Sequence, residues 1–175
     1  MRKNRDLFSE SSSSAFLDLK YEEVANLAVS QALADARRNG ELLSLILCDI
    51  DHLEAINAIH GRATGDALLL QLFVRICDFV PVEDVVWESE RSDLVIIARN
   101  HSYAETYHLA ENIRQSVSSG LFHVANKPIM ITVSLGAKSV MPDPLTTAEE
   151  VLGLAEDQLE ISKRLGPDAI APVIN

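Results

Sequence analysis

Three observations predict an α/β sandwich with a central mixed β-sheet of about five strands surrounded by helices. Apolar strand-like runs alternate with helical spacings along most of the 175 residues. Two β-rich runs, Val85–Trp87 and Leu94–Ala98, flank the six polar residues Glu88–Asp93 and read as a hairpin, whose strands must pair antiparallel. The composition, 47% hydrophobic and 23% charged, is that of one globular domain with a substantial core.

Residues 1–14 are polar, end in the run Ser11–Ser14 and show no periodicity, which predicts a disordered N-terminal tail. Residues 15–40 form a helical lead-in: Phe16, Leu17, Val24, Leu27, Ala28 and Leu33 fall near helical spacings, a break near Asp18 is allowed, and Arg37, Arg38 and Gly40 supply the stop. The domain proper is expected over 41–175. It opens on Leu42–Cys48, where six of seven residues are apolar, as in a strand buried on both faces. Asp49 and Asp51 close that strand at a polar rim and are expected on opposite sides of the backbone, as either a ligand site or a solvated turn.

Leu53–Ile59 reads as a short helix stopped by Gly61. Ala63-Thr64-Gly65-Asp66 then opens a helix over Ala67–Val80, so apolar all round that burial between sheet and other helices is expected. Pro81 ends it, and the hairpin follows. Ser102–Glu105 is a capping box for a helix that Gly120 closes. A β-branched strand is expected over Ile129–Leu135, with a minor strand at Leu121–Val124. Thr147–Glu150 is a second capping box; its helix should bury Val151, Leu154, Ala155, Gln158, Leu159 and Ser162 before Gly166-Pro167. Ala169–Ile174 is a closing strand.

The net charge of −11, from 15 basic and 26 acidic residues, argues against a nucleic-acid or anionic-membrane surface as the main partner. There is no signal-peptide pattern and no run of about 18 apolar residues, so a cytoplasmic protein without membrane insertion is expected. Cys48 and Cys77 lack metal-ligand spacing and read as reduced core residues, and the five histidines show no spacing that points to zinc.

Three stretches carry a family resemblance: Leu45–Gly61 (LILCDIDHLEAINAIHG), Gly65-Asp66, and Ile131–Gly136 (ITVSLG) followed by Ala155–Gly166. They resemble the GGDEF family, the diguanylate cyclase domain that condenses two GTP molecules into cyclic di-GMP, over about residues 22–172. The resemblance implies the nucleotidyl-cyclase-like sandwich. It also implies that Asp84–Leu94 stands on the family's D-L-V-A-R-Y-G-G-D-E-F, so that Glu90, Arg91, Ser92, Asp93 and Leu94 replace the signature.

That replacement bears on catalysis. The two glycines let the nucleotide approach the backbone, and Glu90 and Arg91 would fill the space, Glu90 with a negative charge beside a triphosphate. In the family the first acid of D-x-D and the signature's first acid hold Mg²⁺. Here Asp49 remains as a vestigial metal ligand but Ser92 replaces its partner, a poor exchange for a hard dication. Glu54 takes the place of a lysine, Leu53 of an aromatic and Pro167 of an arginine, whereas Lys163 is retained to meet phosphate. The inhibitory R-x-x-D site is Pro81-Val-Glu-Asp84, so product feedback through it is expected to be lost.

Asn57 and Asp66 match the pair with which the family reads guanine; a polar helix face and a helix N-terminus favour the same residue types, and the sequence leaves both readings open. The expectation is a catalytically inactive GGDEF-like regulatory or protein-interaction module of bacterial cyclic di-GMP signalling, able to bind GTP or cyclic di-GMP without turnover through Asn57, Asp66 and Lys163. No cofactor is required, and Mg²⁺ would enter only with a bound nucleotide. The alternative is a weak or altered cyclase using Asp49 and Asp93. A protein partner is expected, for which Trp87 could be an anchor, and the oligomeric state is open.

Overall fold

The structure, a computed structural model, describes residues 21–81, 84–88 and 94–171, without the side chains of 21–24 and 85–88. The elements run α1 (Tyr21–Asn39), β1 (Leu43–Ile50), α2 (Leu53–His60), α3 (Arg62–Cys77), β2 (Val85–Glu88), β3 (Leu94–Arg99), α4 (Tyr103–Ser118), β4 (Phe122–Val124), β5 (Lys127–Ile129), β6 (Val133–Val140) and α5 (Ala148–Leu165). The tail 1–14 and the start of the lead-in lie outside the described residues.

β1 is the centre of the main sheet, whose order is β2-β3-β1-β6. It pairs antiparallel with β3, Leu47 opposite Val95, and antiparallel with β6, Leu47 opposite Gly136. The expected hairpin is present, with Val85 opposite Ile97 and Glu88 opposite Leu94. Among the described residues the sheet's four strands pair antiparallel, and a parallel bridge from Leu135 to Ile170, at the start of the closing strand expected over 169–174, makes the sheet mixed; residues 172–174 lie outside the described residues.

Alternation along β1 divides the core. Leu43, Leu45 and Leu47 face α1 and α5 through Val29, Leu33, Val151, Ala155 and Leu159; Ile46, Cys48 and Ile50 face α3 and α4 through Leu68, Leu72, Ile76, Ala110 and Ile113. On that second face Ser44 hydrogen-bonds Ser139 at 2.6 Å, and the Thr106 hydroxyl of α4 donates to Ser44 at 2.9 Å, so three buried hydroxyls satisfy one another. Cys48 is buried and Cys77 half-buried, and neither is in a disulfide.

α3 begins at Arg62, five residues before the sequence expectation. Gly61, at φ 87°, ends α2 and caps α3 in one residue, a conformation that spares the chain a separate loop. Nor is α3 buried all round: Leu68, Leu69, Leu72 and Ile76 are buried, while Leu70 and Val74 are 66% and 57% exposed because only one side of the helix meets the sheet. The Ser102 capping box makes both of its reciprocal bonds, and at α5 Thr147 accepts from the Glu150 amide. The strand expected over 129–135 starts later, at Val133. Ala125 and Asn126, both at positive φ, fold β5 back on β4 as a separate hairpin before the chain enters the sheet.

Candidate functional site

The site is built where β1 leaves the sheet. β3 begins opposite this end, Leu94 against Cys48. Leu94 is buried; Glu90, Arg91, Ser92 and Asp93 lie outside the described residues.

Asp49 and Asp51 share one face of the sheet, contrary to the expectation of opposite sides, because a spacing of two residues in a strand returns to the same side. Ser134 stands opposite Asp49 in the ladder, and its hydroxyl donates to Asp51 at 2.6 Å. The Thr132 hydroxyl (2.6 Å) and the Asp168 backbone N–H (2.8 Å) also donate to Asp51.

Asp49 forms an ion pair with Lys163 of α5, Nζ to Oδ2 at 3.1 Å. The sheet sets that meeting. A Cβ on Gly136 would lie 2.5 Å from Leu159 Cα, so α5 rides on the β6 backbone at that point. From Leu159, four residues along α5 advance about 6 Å to Lys163. From Leu47, opposite Gly136, two residues along β1 advance about 6.7 Å to Asp49. α5 runs antiparallel to β6 and hence parallel to β1, so both advances point the same way.

The donor set is thus one carboxylate closed by an ammonium, with the neighbouring carboxylate occupied by two hydroxyls and an amide. A hard dication, which takes several anionic oxygens, does not fit these residues. Among the described residues no group of three histidine, cysteine or acidic side chains comes together that could hold a metal.

Asn57 lies on α2 with its amide against Gly65 of α3, where a Cβ would stand 2.9 Å from Asn57 Cγ. Its Oδ1 is buried and has no hydrogen-bond partner among the described residues. The structure therefore brings Asn57 beside Gly65, adjacent in the chain to Asp66. Asp66 is exposed and is the fifth residue of α3, past the capping positions, so N-capping does not explain it.

At the positions of the inhibitory motif, the Pro81 carbonyl accepts from the Asp84 N–H at 3.0 Å, and the Asp84 side chain is turned inward. Its carboxylate accepts from the Arg99 N–H at 2.8 Å and lies 3.4 Å from His101 Nε2.

The sequence reading missed Asp168 and Arg114. Asp168, at φ 58°, follows Gly166-Pro167, and its carboxylate meets Arg114 of α4 at 2.8 Å while its N–H meets Asp51. Arg114 also forks onto Glu111 at 2.7 and 2.9 Å. That guanidinium holds the Glu111 carboxyl at about 2, and the two carboxylates raise Arg114 further above its ordinary range. An Asp directly after a Gly-Pro stop was the available signal, since Asp tolerates the left-handed region.

An antiparallel sheet with this strand order, helices on both faces and an acid-bearing central strand defines a cyclase-type sandwich. The family model described as "Diguanylate cyclase, GGDEF domain" matches residues 21–168, and the chain belongs to the GGDEF family. An uncharacterized membrane protein of Staphylococcus haemolyticus is 29% identical over 143 residues, 81% of this chain and 39% of that protein. The chain thus spans about two fifths of the length of the curated relatives it matches. The GGDEF domain of YfiN from Pseudomonas aeruginosa superposes with a TM-score of 0.78 at 24% identity, covering 86% of this chain and 94% of that one. The GGDEF domain of DgcB from Caulobacter crescentus, solved in complex with c-di-GMP, gives 0.75 at 24% identity over 82% and 85%. At such identities the likeness concerns the fold. No helix among the described residues is long and apolar enough to cross a membrane.

Proposed function

We propose that this GGDEF domain is a catalytically inactive regulatory and protein-interaction module of cyclic di-GMP signalling that works in the cytoplasm and binds a guanine nucleotide without turning it over. The observation that carries the reading is the charge arrangement of the rim. Asp49 is closed by Lys163 at 3.1 Å, and the acid that the family resemblance expects across from it is Ser92. Phosphoryl transfer needs the developing charge neutralised and the attacking hydroxyl activated, and these residues supply neither.

Guanine binding is supported by Asn57. Its amide lies against Gly65, next in the chain to the exposed Asp66 carboxylate, and the two together can meet the O6/N3 face and the N–H edge of the base. Purified protein incubated with GTP and Mg²⁺ or Mn²⁺ makes no cyclic di-GMP on this reading. Turnover abolished by Asp49→Ala would overturn it in favour of a weak cyclase using Asp49 and Asp93. In calorimetry GTP or cyclic di-GMP binds, and Asp66→Ala weakens it. Binding of neither leaves protein interaction alone, with Trp87–Arg91 as the first surface to mutate.

A further inference from the structure

The GGDEF resemblance implies a magnesium ion at the β1 rim, and the described residues there, Asp49, Asp51 and Lys163, do not fit one. Each of the two acids is already answered from within the chain. Lys163 meets Asp49 at 3.1 Å, and Asp51 takes Thr132, Ser134 and the Asp168 N–H at 2.6, 2.6 and 2.8 Å, three of the roughly four lone-pair positions a carboxylate offers. Neither arrangement is loose. Lys163 lies next to Ser162, whose hydroxyl donates to the Ala169 carbonyl at 2.7 Å, and that carbonyl also accepts from the Leu135 N–H at 2.9 Å. The last turn of α5 and the segment after it are thereby stitched to β6, with the Lys163 backbone fixed one turn past the close contact at Gly136.

We infer that the Lys163 ammonium is the resident cation of this rim: it stands at Asp49 where a divalent ion would be needed, and the rim accepts the phosphates of a guanosine nucleotide without a metal. The inference rests on the guanine-binding reading above and adds how the charge of the ligand is met. A bare Asp49 would repel a triphosphate, and a metal normally cancels that repulsion by bridging the two. An internal ammonium cancels it permanently and independently of the metal supply. Lysine suits the task as a compact point charge on a flexible stem.

The test uses the full chain, GTP as probe and calorimetry in EDTA or in Mg²⁺. The affinity should agree within about twofold between the two buffers, because a metal with a single weakly available carboxylate adds little to binding. Lys163→Met should weaken binding about tenfold or more in EDTA, and Asp49→Asn added to it should recover most of the loss, since removing the bare acid removes the repulsion. An affinity that rises tenfold or more with Mg²⁺ in the unsubstituted protein, with the gain lost in Asp49→Asn, overturns the inference and leaves guanine binding standing. Stoichiometric binding of Mn²⁺ alone, read by electron paramagnetic resonance and lost in Asp49→Asn, overturns it without reference to GTP. Absence of GTP binding in both buffers overturns the guanine reading itself and this inference with it.

Discussion

Replacing Gly136 by alanine tests the packing that positions the candidate site. The added Cβ would stand 2.5 Å from Leu159 Cα and 2.6 Å from Gln158 C, both backbone atoms that cannot rotate away. Ordinary carbon–carbon contact lies near 3.5–4.0 Å, so α5 must retreat by about 1 Å, and a gap of that size forfeits a quarter to a half of each dispersion contact it opens. The contacts at stake are those of Val151, Ala155 and Leu159 with Leu43, Leu45 and Leu47. Overpacking a core costs about 1–3 kcal/mol, and a clash between two backbones belongs at the upper end, about 3 kcal/mol. For a chain of this length that lowers Tm by roughly 6–12 °C. Urea denaturation followed by circular dichroism reads the change. A variant within about 0.5 kcal/mol of the parent would refute the argument that α5 rides on the β6 backbone, and with it the account of how Lys163 reaches Asp49.

Three further outcomes follow from the same contacts. Asp51→Ala removes the acceptor shared by Thr132, Ser134 and the Asp168 N–H; it should cost about 2–3 kcal/mol in urea and speed hydrogen exchange at the Asp168 amide, and an unchanged exchange rate would argue against the tie. Thr106→Val breaks the buried hydroxyl trio with Ser44 and Ser139 and should cost about 1–2 kcal/mol by the same measurement. Glu111, ordinarily near 4.5, is held at about 2 by Arg114. A carboxylate depressed in the folded state contributes stability above its unfolded pKa and loses it as pH falls through the folded one, so the window is pH 4.5 down to 2. With the Glu111 side chain 23% exposed, the contribution after solvent screening is about 1 kcal/mol. Glu111→Gln should flatten that part of the acid limb, and an unaltered limb would remove the pair from the stability account.

Much of the fold was legible because its signals are local. Leu42–Cys48 could only be a buried strand, Ser102–Glu105 could only start a helix, and the polar run 88–93 marked the hairpin. The misreadings come from non-local causes. Nothing within α3 tells that Leu70 and Val74 face outward; the sheet decides that from one side. The start of β6 was displaced because the Ala125-Asn126 turn claims Lys127–Ile129 for β4, and β-branched content does not distinguish which partner a strand takes. At the candidate site, Asp49 stood out as an acid closing an apolar strand and the family resemblance singled out Asn57, Asp66 and Lys163, yet their partners were not legible. Lys163 meets an acid 114 residues away in sequence, and Asp168 joins Arg114 and Asp51 only through the closing turn.

Glycine usage separates what the packing of this domain requires from what nucleotide turnover would require. Gly136 is needed because a helix backbone crosses it, and Gly65 because the Asn57 amide occupies the space of its side chain. Gly61 is needed because one residue at φ 87° both ends α2 and begins α3. Gly136 and Gly65 serve close contacts inside the chain, and Gly61 serves a backbone conformation. The family resemblance implies a different contact, between backbone and nucleotide, for the two glycines of the signature, and its ungapped register sets Glu90 and Arg91 at those positions. A side chain at Gly136 would meet the α5 backbone and one at Gly65 the Asn57 amide, and each costs stability. Glu90 and Arg91 lie between Glu88 and Leu94, outside the described residues. The proposed binding role without turnover asks only for the first set of glycines, which the packing of this chain uses at Gly61, Gly65 and Gly136.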